Sequence, residues 1–249
     1  MQIESKASEF ILCQDKNELA DKAARSFAKL VADISAKNGS CTVALSGGST
    51  PKMLYERLLK PDLADNIPWD KIQFYVSDER CVAHESEESN WGNADRMLLT
   101  PKQIAPAQQH ATVGQDKNAD QSAADYETLI RKEVKAGPGG LPQFDIIYLG
   151  MGPDGHTASL FPGSKALDET HALVTKNYVE KFNSDRITFT FPLINNASHV
   201  IFLVAGHDKA AVLAEVMDNA GKYPSERINP IYGKLSWFID KEAASKLEI

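Results

Sequence analysis

Cys41–Pro51 reads CTVALSGGSTP, and the fold is decided in this stretch. Cys41–Leu45 is a short apolar run of strand formers. Ser46-Gly47-Gly48 breaks it, and Met53, Leu54, Leu58 and Leu59 recur at helical spacing beyond Pro51. Ser49 or Thr50 is placed to cap that helix, with Pro51 in its first turn. A strand that turns through two glycines into a helix leaves backbone N–H groups uncovered by Cβ atoms. The helix start carries partial positive charge, and two hydroxyls stand beside it, so Gly47, Gly48, Ser49 and Thr50 form a candidate phosphate cradle. The spacing is not that of a Walker A loop.

The same alternation runs outward in both directions. Leu19, Ala23, Phe27, Leu30, Val31 and Ile34 mark a helix that Asn38-Gly39 ends, with a short strand ahead of it. Downstream, strands are expected at Ile72–Val76, Phe144–Leu149, Ile187–Phe191, His199–Val204 and Leu235–Ile239. Helices are expected at Ser89–Leu99, Asp120–Val134, Lys209–Met217 and Lys241–Leu247, and Gly137–Gly140 is a loop. Strands alternating with helices imply a mostly parallel sheet covered on both faces, a Rossmann-like three-layer α/β arrangement. No linker demands a boundary, so residues 1–249 are read as one domain. In such sheets ligands sit outside the carboxyl ends of the strands.

Two further strand ends carry chemistry. Gly150–His156 (GMGPDGH) satisfies G-x-G-x-x-G, but Asp154 would put a carboxylate inside a pyrophosphate cradle and Pro162-Gly163 interrupts the helix that should follow. The dinucleotide reading is rejected. The segment offers instead His156, a natural general base for water, with Asp154 two residues before it to orient it or support its charge. Asp78-Glu79-Arg80 follows another apolar strand, where a guanidinium can hold phosphate or stabilise an oxyanion. Arg186 and Lys209 are further candidate anion ligands.

Composition narrows the classes. With 27 Lys and Arg against 34 Asp and Glu the net charge is −7, which argues against nucleic acid as the main partner but leaves room for a local anion site. The longest apolar stretch, about Val200–Ala205, falls far short of a membrane span, and MQIESKASEF lacks the basic start and apolar core of a secretory leader. Cys13, Cys41 and Cys81 are widely spaced and odd in number, which suits buried thiols in a reducing cytoplasm. The six histidines include no H-E-x-x-H and no zinc spacing, and no G-x-S-x-G elbow is present.

LSGGSTP (45–51), SDER (77–80), GMGPDGHTASLFP (150–162), RITFTFP (186–192) and GHDKA (206–210) occur in one order, and together they resemble the 6-phosphogluconolactonase family from about Ser26 onward. The resemblance implies a fold shared with glucosamine-6-phosphate deaminase and ribose-5-phosphate isomerase. It also implies hydrolysis of 6-phospho-D-glucono-1,5-lactone in the oxidative pentose phosphate pathway, with no metal or organic cofactor. His156 would then be the base, Asp154 its partner, and Gly48, Ser49, Thr50, Arg186 and Lys209 the phosphate ligands. Arg80 would serve either phosphate or oxyanion, and Asp78 would hold Arg80 or a sugar hydroxyl. The deaminase is the rival reading, but it is similar to a pattern with an acidic residue after its D-G-H, where this chain has Phe161. A sugar-phosphate sensor would need a DNA-binding module, and the segment before Cys41 shows neither a helix-turn-helix nor a basic face.

Overall fold

The computed structural model describes residues 8–112 and 118–247, so the start of the stretch read for a leader, residues 1–7, lies outside the described residues. Nine strands are described: β1 (Glu9–Cys13), β2 (Cys41–Leu45), β3 (Ile72–Val76), β4 (Asp78–Arg80), β5 (Ile146–Gly150), β6 (Val174–Val179), β7 (Ser184–Phe189), β8 (His199–Val204) and β9 (Lys234–Asp240). The helices are α1 (Lys16–Asn38), α2 (Ser49–Leu58), α3 (Pro61–Ala64), α4 (Asn90–Ala94), α5 (Ala119–Glu133), α6 (Phe191–Ile194) and α7 (Ala210–Met217). Six strands form one wholly parallel sheet in the order β1-β9-β8-β5-β2-β3. The remaining three form a small antiparallel sheet, β4-β7-β6.

The elements follow from their residues. Asp15 caps α1 by accepting from the Asn17 and Glu18 N–H groups at 2.8 and 2.9 Å, and Gly39 ends it in the left-handed region at φ 84°. The buried face of α1 carries Leu19, Ala23, Phe27 and Val31, and the Phe27 ring sits 6.2 Å from that of Tyr148 on β5. Burying one such large apolar side chain contributes roughly 1.5–3 kcal/mol. Ile146–Leu149 is buried at every position, as expected of a central parallel strand with both faces covered. On α5, Tyr126 donates its hydroxyl to the Val76 carbonyl and accepts from the Val76 N–H, which ties that helix to the end of β3.

The sheet order places the site. From β2 the chain moves to β3 on one side, whereas β5, β8 and β9 build outward on the other. The reversal falls between β2 and β5, and a crevice opens outside the carboxyl ends of strands at such a switch point. The Gly47–Thr50 turn leaves β2 and the Gly150–His156 loop leaves β5, so the two motifs flank that crevice.

Several expectations are corrected. Gly48, not Ser49 or Thr50, is the N-cap of α2, because the helix already includes Ser49 and no side chain accepts from its first turn. The strand expected at Ile187–Phe191 is Ser184–Phe189, and Phe191 opens α6 with a proline in its first turn. β5 begins at Ile146 rather than Phe144, since Asp145 turns aside to accept from the Thr42 N–H and hydroxyl at 2.8 and 2.9 Å. The segment 241–247 makes turns rather than a helix. In Ser89–Leu99 only Asn90–Ala94 is α-helical, and Asp95–Leu99 is a π-helical turn in which Asp95 accepts from Thr100. Asp78–Arg80 is a strand, paired edge to edge with β7.

Candidate active site

The cradle is made of backbone. Tyr55 on α2 donates to the Ser46 carbonyl at 2.7 Å and fixes the turn where β2 ends. A Cβ on Gly47 would stand 1.8 Å from Oδ1 of Asn90, so only glycine lets Asn90 close over the turn. Gly48 lies at φ 106°, a region other residues rarely enter. Because the cap is a glycine, nothing masks the first N–H groups of α2, and that first turn carries no acidic residue. Gly47, Gly48, Ser49 and Thr50 line a cleft of about 240 Å³, with Asp78, Arg80, His156 and Lys209 on its other walls. Lys209, on a short turn between β8 and α7, comes from the strand next to β5 and is paired with Asp208.

His156 and Asp154 stand at the tip of β5. Within the loop, Gly152 donates to the His156 carbonyl at 2.9 Å and Gly155 to the Gly152 carbonyl at 3.0 Å. A Cβ on Gly152 would fall 2.1 Å from the His156 ring, so this glycine is what lets the ring fold back. Nδ1 of His156 is closely hydrogen bonded to Oδ1 of Asp154. That bond holds the Asp154 carboxyl far below the usual carboxylate range; partial burial opposes the shift, and Lys181, 3.4 Å from Oδ2, supports it. With Nδ1 committed, Nε2 is the ring nitrogen left for a water in the cleft. The face of the ring stacks on Phe161, centroids 4.0 Å apart at 20°.

The antiparallel sheet supplies a third wall. Arg80 and Arg186 are direct cross-strand neighbours in β4 and β7, an arrangement of like charges that disfavours folding unless an anion accompanies it. Arg186 is buried, and burial followed by the nearby Arg80 charge lowers its pKa. The Nε atoms of both guanidinium groups are buried without a hydrogen-bond partner among the described residues, although Nη1 of Arg80 reaches the Glu88 carbonyl. Together Arg80, Arg186, Phe161, Phe182 and His156 line a second compartment of about 440 Å³ that adjoins the cradle.

Two sequence expectations are adjusted by these positions. Arg186, expected with Lys209 among the phosphate ligands, is not among the residues that line the cleft of the Gly47–Thr50 turn and borders the adjoining compartment as the cross-strand neighbour of Arg80. Asp78 makes no ion pair with Arg80 among the described residues. Its carboxylate instead accepts from Asn90 Nδ2 at 3.2 Å and Ser159 Oγ at 2.7 Å, which clamps β4 to the turn after His156. In that turn Ala158 lies at φ 49°, a strained position for a residue with a Cβ.

Sequence reading assigned no role to Glu79, Asn90 or Ser159. Glu79 is buried, with its carboxyl pushed up by that burial, and it accepts from the N–H groups of Arg80, Asn90 and Trp91 and from Ser89 Oγ, at 2.7–2.9 Å. It is the internal anchor that joins the Arg80 strand to the start of α4. Among the described residues no three His, Cys, Asp or Glu side chains converge as a metal site.

The fold and cleft define an α/β protein with a glycine-rich strand–helix turn and a histidine–carboxylate pair at the switch point of a parallel sheet. The chain belongs to the family of glucosamine-6-phosphate isomerases and 6-phosphogluconolactonase, whose model matches residues 14–237. It is 42% identical over 216 residues to a 6-phosphogluconolactonase of Nostoc sp., covering 86% of this chain and 87% of that protein. The structure of 6-phosphogluconolactonase from Trypanosoma cruzi superposes with a TM-score of 0.86 at 31% identity, covering all of both chains. A monomeric glucosamine-6-phosphate deaminase shares the fold alone, at 20% identity and a TM-score of 0.76 over 96% of this chain and 99% of that one.

Proposed function

We propose that this chain hydrolyses 6-phospho-D-glucono-1,5-lactone to 6-phosphogluconate, the hydrolytic step of the oxidative pentose phosphate pathway. The observation that carries the reading is His156, bonded to Asp154 and standing on a wall common to the cleft of the Gly47–Thr50 turn and the compartment of Arg80 and Arg186. The 6-phosphate sits on the N–H groups and hydroxyls of Gly48, Ser49 and Thr50 with Lys209, which fixes the sugar and brings its C1 to His156. Nε2 of His156 takes a proton from water as the water oxygen bonds to C1. The tetrahedral intermediate then collapses, the bond from C1 to the ring oxygen breaks, and that oxygen takes the proton back from His156. Asp154 keeps Nδ1 protonated and balances the imidazolium. Arg80 borders both compartments and supplies positive charge at their junction, where the carbonyl oxygen becomes negative.

Phe161 favours hydrolysis over amine chemistry. Where the deaminase pattern has a carboxylate, this chain stacks an apolar ring on the base. No helix among the described residues is long and apolar enough to cross a membrane. Cys13, Cys41 and Cys81 are free thiols, which suits a reducing compartment such as the cytosol. The test is proton release in weak buffer with freshly generated lactone, with glucosamine-6-phosphate assayed in parallel for ammonia. Acid released faster than the spontaneous background, without ammonia, is expected. Ammonia would replace this reading with deamination, and neither product, with 6-phosphogluconate still bound, would replace it with sensing.

A further inference from the structure

The β6–β7 hairpin reaches back over the site. Its tip is a tight turn, Glu180–Phe182, followed by Asn183 in the left-handed region at φ 44°, and the Tyr178 hydroxyl braces it by a 2.5 Å hydrogen bond to Asn183. The tip presents two residues to the active site. Lys181 meets the carboxylate that orients His156. Phe182 leaves nearly half of a large apolar side chain, 48%, exposed. One edge of that ring meets Phe161 in a T-shaped contact at 5.9 Å, and the Arg186 guanidinium carbon lies 5.3 Å from the ring centroid. His156, Phe161, Phe182 and Arg186 therefore form one continuous chain of ring contacts. Phe182 borders the compartment with Arg80 and Arg186 and has no part in the Gly47–Thr50 cradle.

We infer that Phe182 is a substrate-contacting specificity residue, whose exposed ring receives the C–H face of the sugar lactone once the phosphate is seated in the cradle. The inference rests on the lactonase reading. Two physical features support it. An aromatic ring left half bare at the rim of a polar cleft gains apolar burial when a sugar face covers it. The same ring lies against a buried guanidinium whose Nε has no hydrogen-bond partner among the described residues, so ring and cation present one surface to a ligand in that compartment. The cradle alone recognises phosphate. The ring adds recognition of what the phosphate is attached to.

The experiment compares two competitive inhibitors of lactone hydrolysis, 6-phosphogluconate and inorganic phosphate, on the wild type, Phe182→Ala and Phe182→Trp. For Phe182→Ala the expected result is about a tenfold weaker 6-phosphogluconate and a similarly raised KM for the lactone. Inhibition by inorganic phosphate and the melting temperature should stay unchanged, and Phe182→Trp should restore the 6-phosphogluconate affinity. Unchanged 6-phosphogluconate inhibition in Phe182→Ala would overturn the inference, as would equal weakening of both inhibitors. A wild type that neither hydrolyses the lactone nor binds 6-phosphogluconate would instead remove the functional reading on which the inference stands.

Discussion

The Gly47–Thr50 turn and the Arg80–Arg186 pair both present positive potential to one active-site region, but they are made in opposite ways. The turn uses backbone N–H groups and a helix terminus, needs no charged side chain of its own, and is held by local contacts such as the bond from Tyr55 to Ser46. The arginine wall uses two full charges that repel each other across a strand pair, and a buried carboxyl, Glu79, ties Arg80 to the start of α4. A backbone cradle carries little strain and suits a ligand that arrives already doubly charged. A strained guanidinium pair suits charge that develops during reaction.

Three substitutions separate the two walls. Glu79→Ala should have the largest effect, because the Arg80, Asn90 and Trp91 N–H groups and the Ser89 hydroxyl lose their acceptor at once. About 3 kcal/mol of stability should go, read as a lower denaturant midpoint. The arginine wall should fail while inorganic phosphate still binds the folded fraction. An unchanged midpoint would show that the wall holds without its anchor. Next, Lys209→Met should weaken inorganic phosphate about tenfold, whereas Arg186→Met should leave it nearly unchanged and raise the KM for the lactone. Equal effects on phosphate would merge the two walls into one site.

The smallest effect concerns acid. The folded state holds the Asp154 carboxyl well below its ordinary value of about 4, chiefly through the bond to His156. Its contribution to stability is therefore complete above that ordinary value and declines as the pH falls further. Asp154 is partly exposed, which keeps the contribution small. Asp154→Asn should lose stability at neutral pH and show a shallower fall between about pH 4 and pH 2. Parallel acid-unfolding curves would mean that the pair adds nothing to the folded state.

This contrast also explains what the sequence could reveal. The cradle, the His156–Asp154 loop and the parallel strands are contiguous runs whose physics is local, and CTVAL, IQFYV and HVIFLV fall where apolar patterning puts them. The antiparallel sheet is not local. β4 is three charged or polar residues, and it becomes a strand only by pairing with Thr188, Ile187 and Arg186 about a hundred positions away. Asp78 was legible as a site residue, but not as a clamp, because its partner Ser159 is 81 residues distant. Phe182 gave no signal at all, since a hairpin tip acquires meaning only once the hairpin lies over the site.

The most direct test is the rate of proton release from fresh 6-phosphogluconolactone by the wild type and by His156→Ala, with 6-phosphogluconate binding measured on both. The wild type should exceed the spontaneous background, and the variant should lose roughly 10²–10⁴-fold in turnover while 6-phosphogluconate binds both proteins with similar affinity. A variant that keeps the wild-type rate would take His156 out of the chemistry and leave the two anion walls without a base between them.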